Sequence, residues 1–163
     1  MRRRRRSVDD SDFQDPLKNY ETPAYNDDLD RSLMEGEIRD IKITPFTAVL
    51  PETTIQEAIT EMRDSSIACL LIARDGKLLG IFSVRDVLNR VVDNYDRIMN
   101  DPVSDVMTPN PTAVYRTDSP AKALNLMADS GFRHLPILNV DEKVVGILGP
   151  RRVTSYLRKF LPD

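Results

Sequence analysis

The residues best placed to do chemistry are Ser83 and Asp86, three apart behind a glycine in the run Gly80-Ile81-Phe82-Ser83-Val84-Arg85-Asp86. Leu78 to Phe82 reads as a strand, and Val84, Val87, Leu88 and Val91 read as the apolar stripe of a helix. Ser83 thus falls where a strand ends and a helix begins. Amide groups at a helix N-terminus favour an anion such as phosphate, and Ser83 would add a hydroxyl donor. A carboxylate one turn later can accept two hydroxyl hydrogen bonds, the grip that a ribose diol requires. The same pair also fits a purely structural role, with Ser83 as the N-cap and Asp86 as a favourable negative charge on the first turn. The motif alone leaves both readings open.

Little else points to catalysis, and no enzymatic activity is expected. His134 is the only histidine, so no histidine pair can hold a metal, and the carboxylates are scattered without an acid–base pairing. Cys69, the only cysteine, lies in the apolar run Ala68 to Ala73 and reads as an inert core thiol.

The elements that must position Ser83 and Asp86 occur twice. Thr47-Ala48-Val49 returns 65 positions on as Thr112-Ala113-Val114, and Asp64-Ser65 as Asp129-Ser130. One inserted residue then shifts Gly80-Ile81, Arg85 and Val87 to Gly146-Ile147, Arg151 and Val153. The second motif reads Gly146-Ile147-Leu148-Gly149-Pro150-Arg151-Arg152, so glycine stands for Ser83 and arginine for Asp86. The cleft beside it is expected to lack both ribose grip and phosphate charge, and to be empty or to hold something unlike a nucleotide.

Each copy reads strand, helix, strand, strand, helix. Ala48 to Leu50 is a short strand, and Thr54 with Glu57 has the spacing of a capping box. Ile55, Ala58, Ile59 and Met62 form a helical stripe, Ala68 to Ala73 a buried strand, and Arg74-Asp75-Gly76-Lys77 a hairpin turn. Copy two follows with a strand at Ala113 to Tyr115 and a helix capped by Ser119 with Pro120 in its first turn. Its hairpin pairs Leu135 to Leu138 with Val144 to Leu148, and a last helix runs from Pro150 to about Phe160. Ile38-Arg39-Asp40-Ile41 and Val103-Ser104-Asp105-Val106 precede the two copies at the same offset. The expected organisation is a polar tail over 1–35, a repeat over 36–95 and a repeat over 96–163. Within the tail, Leu29, Leu33 and Met34 mark a short helical turn. A unit of about 60 residues buries little core alone, so the copies are expected to pack sheet to sheet about a pseudo-two-fold axis.

Charge narrows the partners. The chain carries a net charge of −3, and the repeat region beyond residue 40 is balanced. That gives no long-range pull toward nucleic acid or anionic lipid. Arg2 to Arg6 form a basic run, but the acidic residues after it cancel the charge, so it reads as a solvated terminus and nucleic acid is a lesser alternative. No apolar stretch approaches the ~20 residues of a membrane span, and the start is not that of a signal peptide. A single cysteine suits a reducing, cytoplasmic setting.

The duplicated unit resembles a pair of CBS domains, a Bateman module, over roughly residues 38 to 161. Asp105-Val106-Met107-Thr108-Pro109 is similar to the family's lead-in to a repeat, Arg133-His134-Leu135-Pro136-Ile137 to its second strand, and Gly80 to Asp86 to its GxxSxxD or GxxTxxD ligand motif. The resemblance implies an α/β (α+β) fold of tandem repeats and a stand-alone regulatory module. It implies one asymmetric cleft in which Ser83 and Asp86, with their motif neighbours Ile81 and Arg85, take ribose and phosphate. Thr112 and Ala113 would meet the adenine edge and Pro136 would lie beside the base. Arg133, His134 and Arg151 would supply phosphate contacts. No cofactor is implied; the ligand would be AMP, ADP or ATP, with S-adenosylmethionine an alternative. A homodimer through the helix faces of Ile55, Ile59, Met62, Leu124 and Met127 is implied as well, with an unidentified protein as the regulated partner. A ligand-free scaffold that keeps a relic motif is the competing reading.

Overall fold

The computed structural model of the chain describes residues 24–161. The arginine run Arg2 to Arg6 and most of the polar tail lie outside the described residues. The chain enters through helix α1 (Asp28–Glu35), started by the Asp27 carboxylate, which accepts from the Asp30 N–H at 2.7 Å. It carries the expected turn at Leu29, Leu33 and Met34 and packs on the helix Pro120–Ser130 of the second repeat. A 3-10 turn follows at Ile38–Asp40.

Repeat one comprises β1 (Ala48–Val49), α2 (Ile55–Asp64), β2 (Cys69–Arg74), β3 (Lys77–Ser83) and a helical stretch beginning with α3 (Val84–Asp86). After the short helix α4 (Tyr95–Ile98) and β4 (Thr108–Pro109), repeat two adds β5 (Val114–Tyr115), α5 (Pro120–Ser130), β6 (Leu135–Leu138), β7 (Val144–Leu148) and α6 (Pro150–Leu157). The sheets run β1-β2-β3-β4 and β5-β6-β7. In each, the first strand is parallel to the second and the second antiparallel to the third.

Local chemistry explains the boundaries. The capping box at α2 is formed: Thr54 N–H donates to Glu57 Oε2 at 2.9 Å, and Glu57 N–H to Thr54 Oγ1 at 3.2 Å. The β2–β3 turn needs positive φ at two successive residues and has it at Asp75 (52°) and Gly76 (82°). The residue inserted in the second copy falls in the β6–β7 turn, where Asn139 Oδ1 accepts from Asp141 N–H at 3.0 Å and Lys143 N–H at 2.8 Å.

The helix expected from Ser83 is not regular. After α3 the chain widens into a π turn at Val87–Val91, where Val92 N–H donates to Val87 O, and tightens to 3-10 at Val92–Asn94. Of the four residues read as its apolar stripe, Val91 is buried and Val87 half-buried against the core, whereas Val84 and Leu88 face solvent.

The cores depart from the linear reading of the repeats. Ile38, Ile41 and Ile43 lead into repeat one in sequence, yet they are buried with Val114, Leu135, Ile137, Leu148, Val153 and Tyr156 of repeat two. Val103 and Val106 lead into repeat two and are buried with Ile55, Leu70, Ile72, Phe82 and Val91 of repeat one. Backbone pairing agrees. β4 adds to β3 as a fourth strand, with Gly80 opposite Pro109, and Ile147 N–H donates to Ile43 O at 3.2 Å. Each lead-in segment therefore completes the other repeat. One correction follows: Ile55 (0% exposed) and Met62 (6%) are core residues, filling the space under β2, and do not form an outer helix face.

Candidate functional site

Ser83 ends β3 opposite Cys69 of β2, in extended backbone (φ −132°, ψ 167°), and starts α3. Asp86 Oδ2 accepts from Ser83 N–H at 2.9 Å and from Ser83 Oγ at 2.6 Å. Oδ1 accepts from Thr108 Oγ1 at 2.9 Å, and Arg90 Nη1 lies 3.4 Å from it. Asp86 is 6% exposed, the only charged side chain buried to that degree among the described residues. Such burial is tolerated because the carboxylate is surrounded by donors. Arg90 also donates to the carbonyls of Val106 and Met107. The structural role proposed from sequence is thus realised: Ser83 and Asp86 cap α3 and tie it to the lead-in segment of repeat two. A ribose diol at Asp86 would have to take over the places of the Ser83 and Thr108 hydroxyls.

The second motif is built differently. Gly149 offers no side-chain cap to α6, and a methyl group on it would stand 3.1 Å from His134 Cδ2. Arg152, at the position of Asp86, donates through Nη1 to Ile147 O at 3.1 Å and through Nη2 to Pro45 O. Arginine and carboxylate solve one problem here: each ties a motif helix to the lead-in segment that crosses from the other repeat.

An open cavity of about 470 Å³ lies at this second motif. Repeat one and its lead-in supply Pro45 to Thr47 and Ser66 to Cys69; repeat two supplies Arg133, His134, Ile147 and Gly149 to Arg152. Arg133, His134 and Arg151 therefore line one cavity, beside Gly149 and Arg152. Ile81, Ser83, Arg85, Asp86, Thr112, Ala113 and Pro136 are not among the lining residues. Pro136 is buried in β6 opposite Ile147, while Arg85 and Thr112 are exposed. The expectation that the second cleft lacks charge is corrected by three arginines, gathered there because β6 and α6 both present their N-terminal ends to it. Thr47 and Cys69 were missed; Thr47 is the repeat partner of Thr112, and that equivalence was the available signal.

Electrostatics mark the cavity as positive. Burial holds the His134 imidazole below its ordinary 6.5, and the guanidinium groups of Arg133 and Arg152 push it in the same direction. Burial likewise lowers Arg152. The Cys69 thiol is pushed up to about 12 by burial, with Arg152 opposing and Asp86 reinforcing the shift. Cys69 thus stands within electrostatic reach of both motifs.

A family model for the CBS domain matches residues 38–93 and again 103–159. An uncharacterized 17.7 kDa protein of Acidianus ambivalens is 31% identical over 125 residues, 76% of this chain and 74% of that protein. The CBS domain-containing protein CBSCBSPB1 of Arabidopsis thaliana is 31% identical over 111 residues, covering 68% of this chain. This chain spans 20% of that relative's length. Among solved structures, CBSX2 in complex with AMP aligns with a TM-score of 0.66 at 26% identity, covering 76% of this chain and 96% of that one. Both repeats are matched, each with its lead-in segment, and the chain belongs to the CBS domain family, with two CBS domains in tandem.

Proposed function

We propose that the chain is a non-catalytic regulatory module that binds an adenine nucleotide between its repeats and passes the resulting change in packing to a partner protein. The observation that carries this reading is the AMP held by CBSX2, a structure that shares this fold over 76% of the chain. The chain's own residues support it. Asp86 is a buried carboxylate beside the Ser83 hydroxyl at a strand–helix junction, and Thr112 and Ala113 precede β5 as Thr47 precedes β1. In this reading Asp86 and Ser83, with Ile81 and Arg85 flanking them, take ribose and phosphate, Thr112 and Ala113 meet the adenine edge, and Pro136 backs the base. A ligand touching both repeats shifts their relative position if it binds one arrangement more tightly. The setting proposed is cytoplasmic; among the described residues no helix is long and apolar enough to cross a membrane.

We also place a homodimer contact on the stretch after β3. Val84, Leu88, Val92 and Tyr95 along this stretch are all exposed, apolar side chains that the same residues of a second copy would cover. Light scattering of Leu88→Glu checks this: a dimer that becomes monomeric supports it, and an unchanged mass opposes it.

Calorimetry with AMP, ADP, ATP and S-adenosylmethionine tests the nucleotide site. At least one adenine nucleotide should bind, and Asp86→Asn should weaken it by about tenfold or more. A folded protein that binds none of the four is a scaffold instead.

A further inference from the structure

We propose that α1 is a detachable cover over the outer helix face of repeat two, and that the face beneath it is a docking surface for an acidic, amphipathic helix of a partner protein. This rests on the reading of the chain as a module that signals to a partner, and names the kind of partner. Residues 93–100, which contain α4, are the repeat counterpart of α1 at the offset of 65. The counterpart is tied down. Ile55 N–H donates to Asp101 O at 3.0 Å and Gln56 N–H to Met99 O at 3.0 Å, and Ile98 and Met99 pack against the core of repeat one. In repeat two Pro120 stands where Ile55 does and has no N–H to donate. Among the described residues no hydrogen bond or ion pair joins α1 to repeat two. The first bonds come after it, from Ile38 N–H to Asp118 O at 2.9 Å and from Arg39 N–H to Arg116 O at 3.0 Å. No residue of α1 is buried, and a helix of eight residues does not hold its shape alone in water. Apolar contact alone keeps α1 in place, and it unwinds when it lifts.

The face under α1 carries apolar residues that its counterpart lacks. α1 packs on α5 and on the closing turn Arg158–Phe160. Where the helices of repeat one have Glu61, Arg90 and Asn94, those of repeat two have Leu126, Tyr156 and Phe160. Leu126 and Phe160 are half-buried; Tyr156 is buried, its ring edge-on to Phe160 with centroids 5.3 Å apart. α1 fills this surface poorly. Helices that dock in grooves anchor at positions i, i+3 and i+4, which here are Leu29, Ser32 and Leu33. The two leucines are half-buried, but the middle anchor is a serine, and an open cavity of about 330 Å³ remains between Ser32, Gly36, Tyr156 and Phe160. A partner helix with a bulky apolar residue at the middle anchor would fill that space and displace α1. Charge sets the rest of its chemistry. α1 carries Asp28, Asp30 and Glu35, the turn it packs on carries Arg158 and Lys159, and an acidic partner keeps that complementarity.

Amide hydrogen exchange on the full chain reads the cover, and a synthetic peptide of residues 24–37 carrying Ser32→Leu is the probe for the partner. Amides of α1 should exchange about tenfold or more faster than those of α5, and Ser32→Leu in the full chain should slow them. The full-chain double variant Leu29→Asp, Leu33→Asp opens the cover. Fluorescence anisotropy should show it binding the peptide about tenfold or more tightly than the natural chain, in which tethered α1 competes. In that background Leu126→Glu and Phe160→Asn, each the residue type that repeat one carries, should each abolish binding. Phe160 closes the last turn and is half-buried, so its variant serves where Leu126→Glu disturbs the fold. Amides of α1 as protected as those of α5 overturn the proposal. So does a peptide that binds the open variant no better than the natural chain, or one that still binds with both substitutions in place. An open variant whose mass rises without peptide gives the face to a second copy and overturns the partner assignment. Calorimetry with AMP on the natural chain reports on the nucleotide site alone, so the two readings fail separately.

Discussion

Thr108 holds Asp86 from across the repeat boundary: its hydroxyl donates to Oδ1 at 2.9 Å, from a strand that belongs in sequence to the second copy. The carboxylate proposed to grip a ribose is therefore also a structural joint. Thr108→Val removes the donor while keeping the shape. Stability should fall by about 1–2 kcal/mol, the cost of leaving a buried acceptor short of a partner. Nucleotide affinity should hold or rise, because Oδ1 no longer exchanges one hydroxyl for another. Urea denaturation and calorimetry on one preparation separate the two effects.

Gly80 and Gly146 are repeat equivalents, and each faces a lead-in residue from the other side. A methyl on Gly146 would stand 2.8 Å from Ile43 Cβ, and one on Gly80 would stand 2.2 Å from Met107 Sδ. The Ile43 branch point is fixed to the backbone, whereas the Met107 thioether can swing away. Gly146→Ala should cost about 1–3 kcal/mol in overpacking, and Gly80→Ala should cost less despite its shorter contact. Denaturant midpoints for the two variants give the order; the reverse order would mean that the lead-in of repeat one yields more readily than a methionine.

Cys69 should be chemically silent in the folded protein. With its thiol pushed up to about 12 from an ordinary 9.0, the thiolate population near neutral pH is about a thousandfold lower than that of an open cysteine. Alkylation by iodoacetamide should be correspondingly slow and should accelerate on unfolding. Rapid labelling of the folded chain would place the thiol outside the packed strand.

The His134 shift sets a pH dependence. The folded protein holds the imidazole below its ordinary 6.5, so as pH falls through about 6.5 the unfolded chain takes up a proton first. This group's contribution to stability is thus fully present above about pH 6.5 and is lost as pH drops toward the folded value. Urea midpoints at about pH 7.5 and about pH 5.5 should differ, and His134→Gln should shrink the difference.

Much of the fold was legible because local patterns dominate there. The strands at Leu135–Leu138 and Val144–Leu148 occur where the sequence puts them, since short aliphatic runs between turn residues have few alternatives. The Thr54–Glu57 cap is read from spacing alone. The crossing of Ile38 to Ile43 into the second core was not legible: a repeat shows which positions are equivalent but not which copy each one packs against. For the same reason the arginines were visible as a cluster while their neighbours were misplaced. Arg133 and His134 were set against Asp86, although the chain path from Pro45 to Thr47 brings repeat one to Gly149 and Arg152 instead. The break at Val87–Val91 was hidden because valines at helical spacing read alike whether the turn closes over four residues or five.

The crossing of the lead-in segments also constrains how such a chain can exist at all. With β4 at Thr108–Pro109, the first repeat finishes its sheet only after synthesis has passed into the second repeat. A polypeptide carrying one repeat would have an orphan segment of isoleucines and an unfilled core, and could satisfy both only by reciprocal exchange with another molecule. Tandem fusion turns that obligatory swap into an intramolecular event, so the halves should melt as one cooperative unit, and a chain cut between them should regain structure only when both pieces are present.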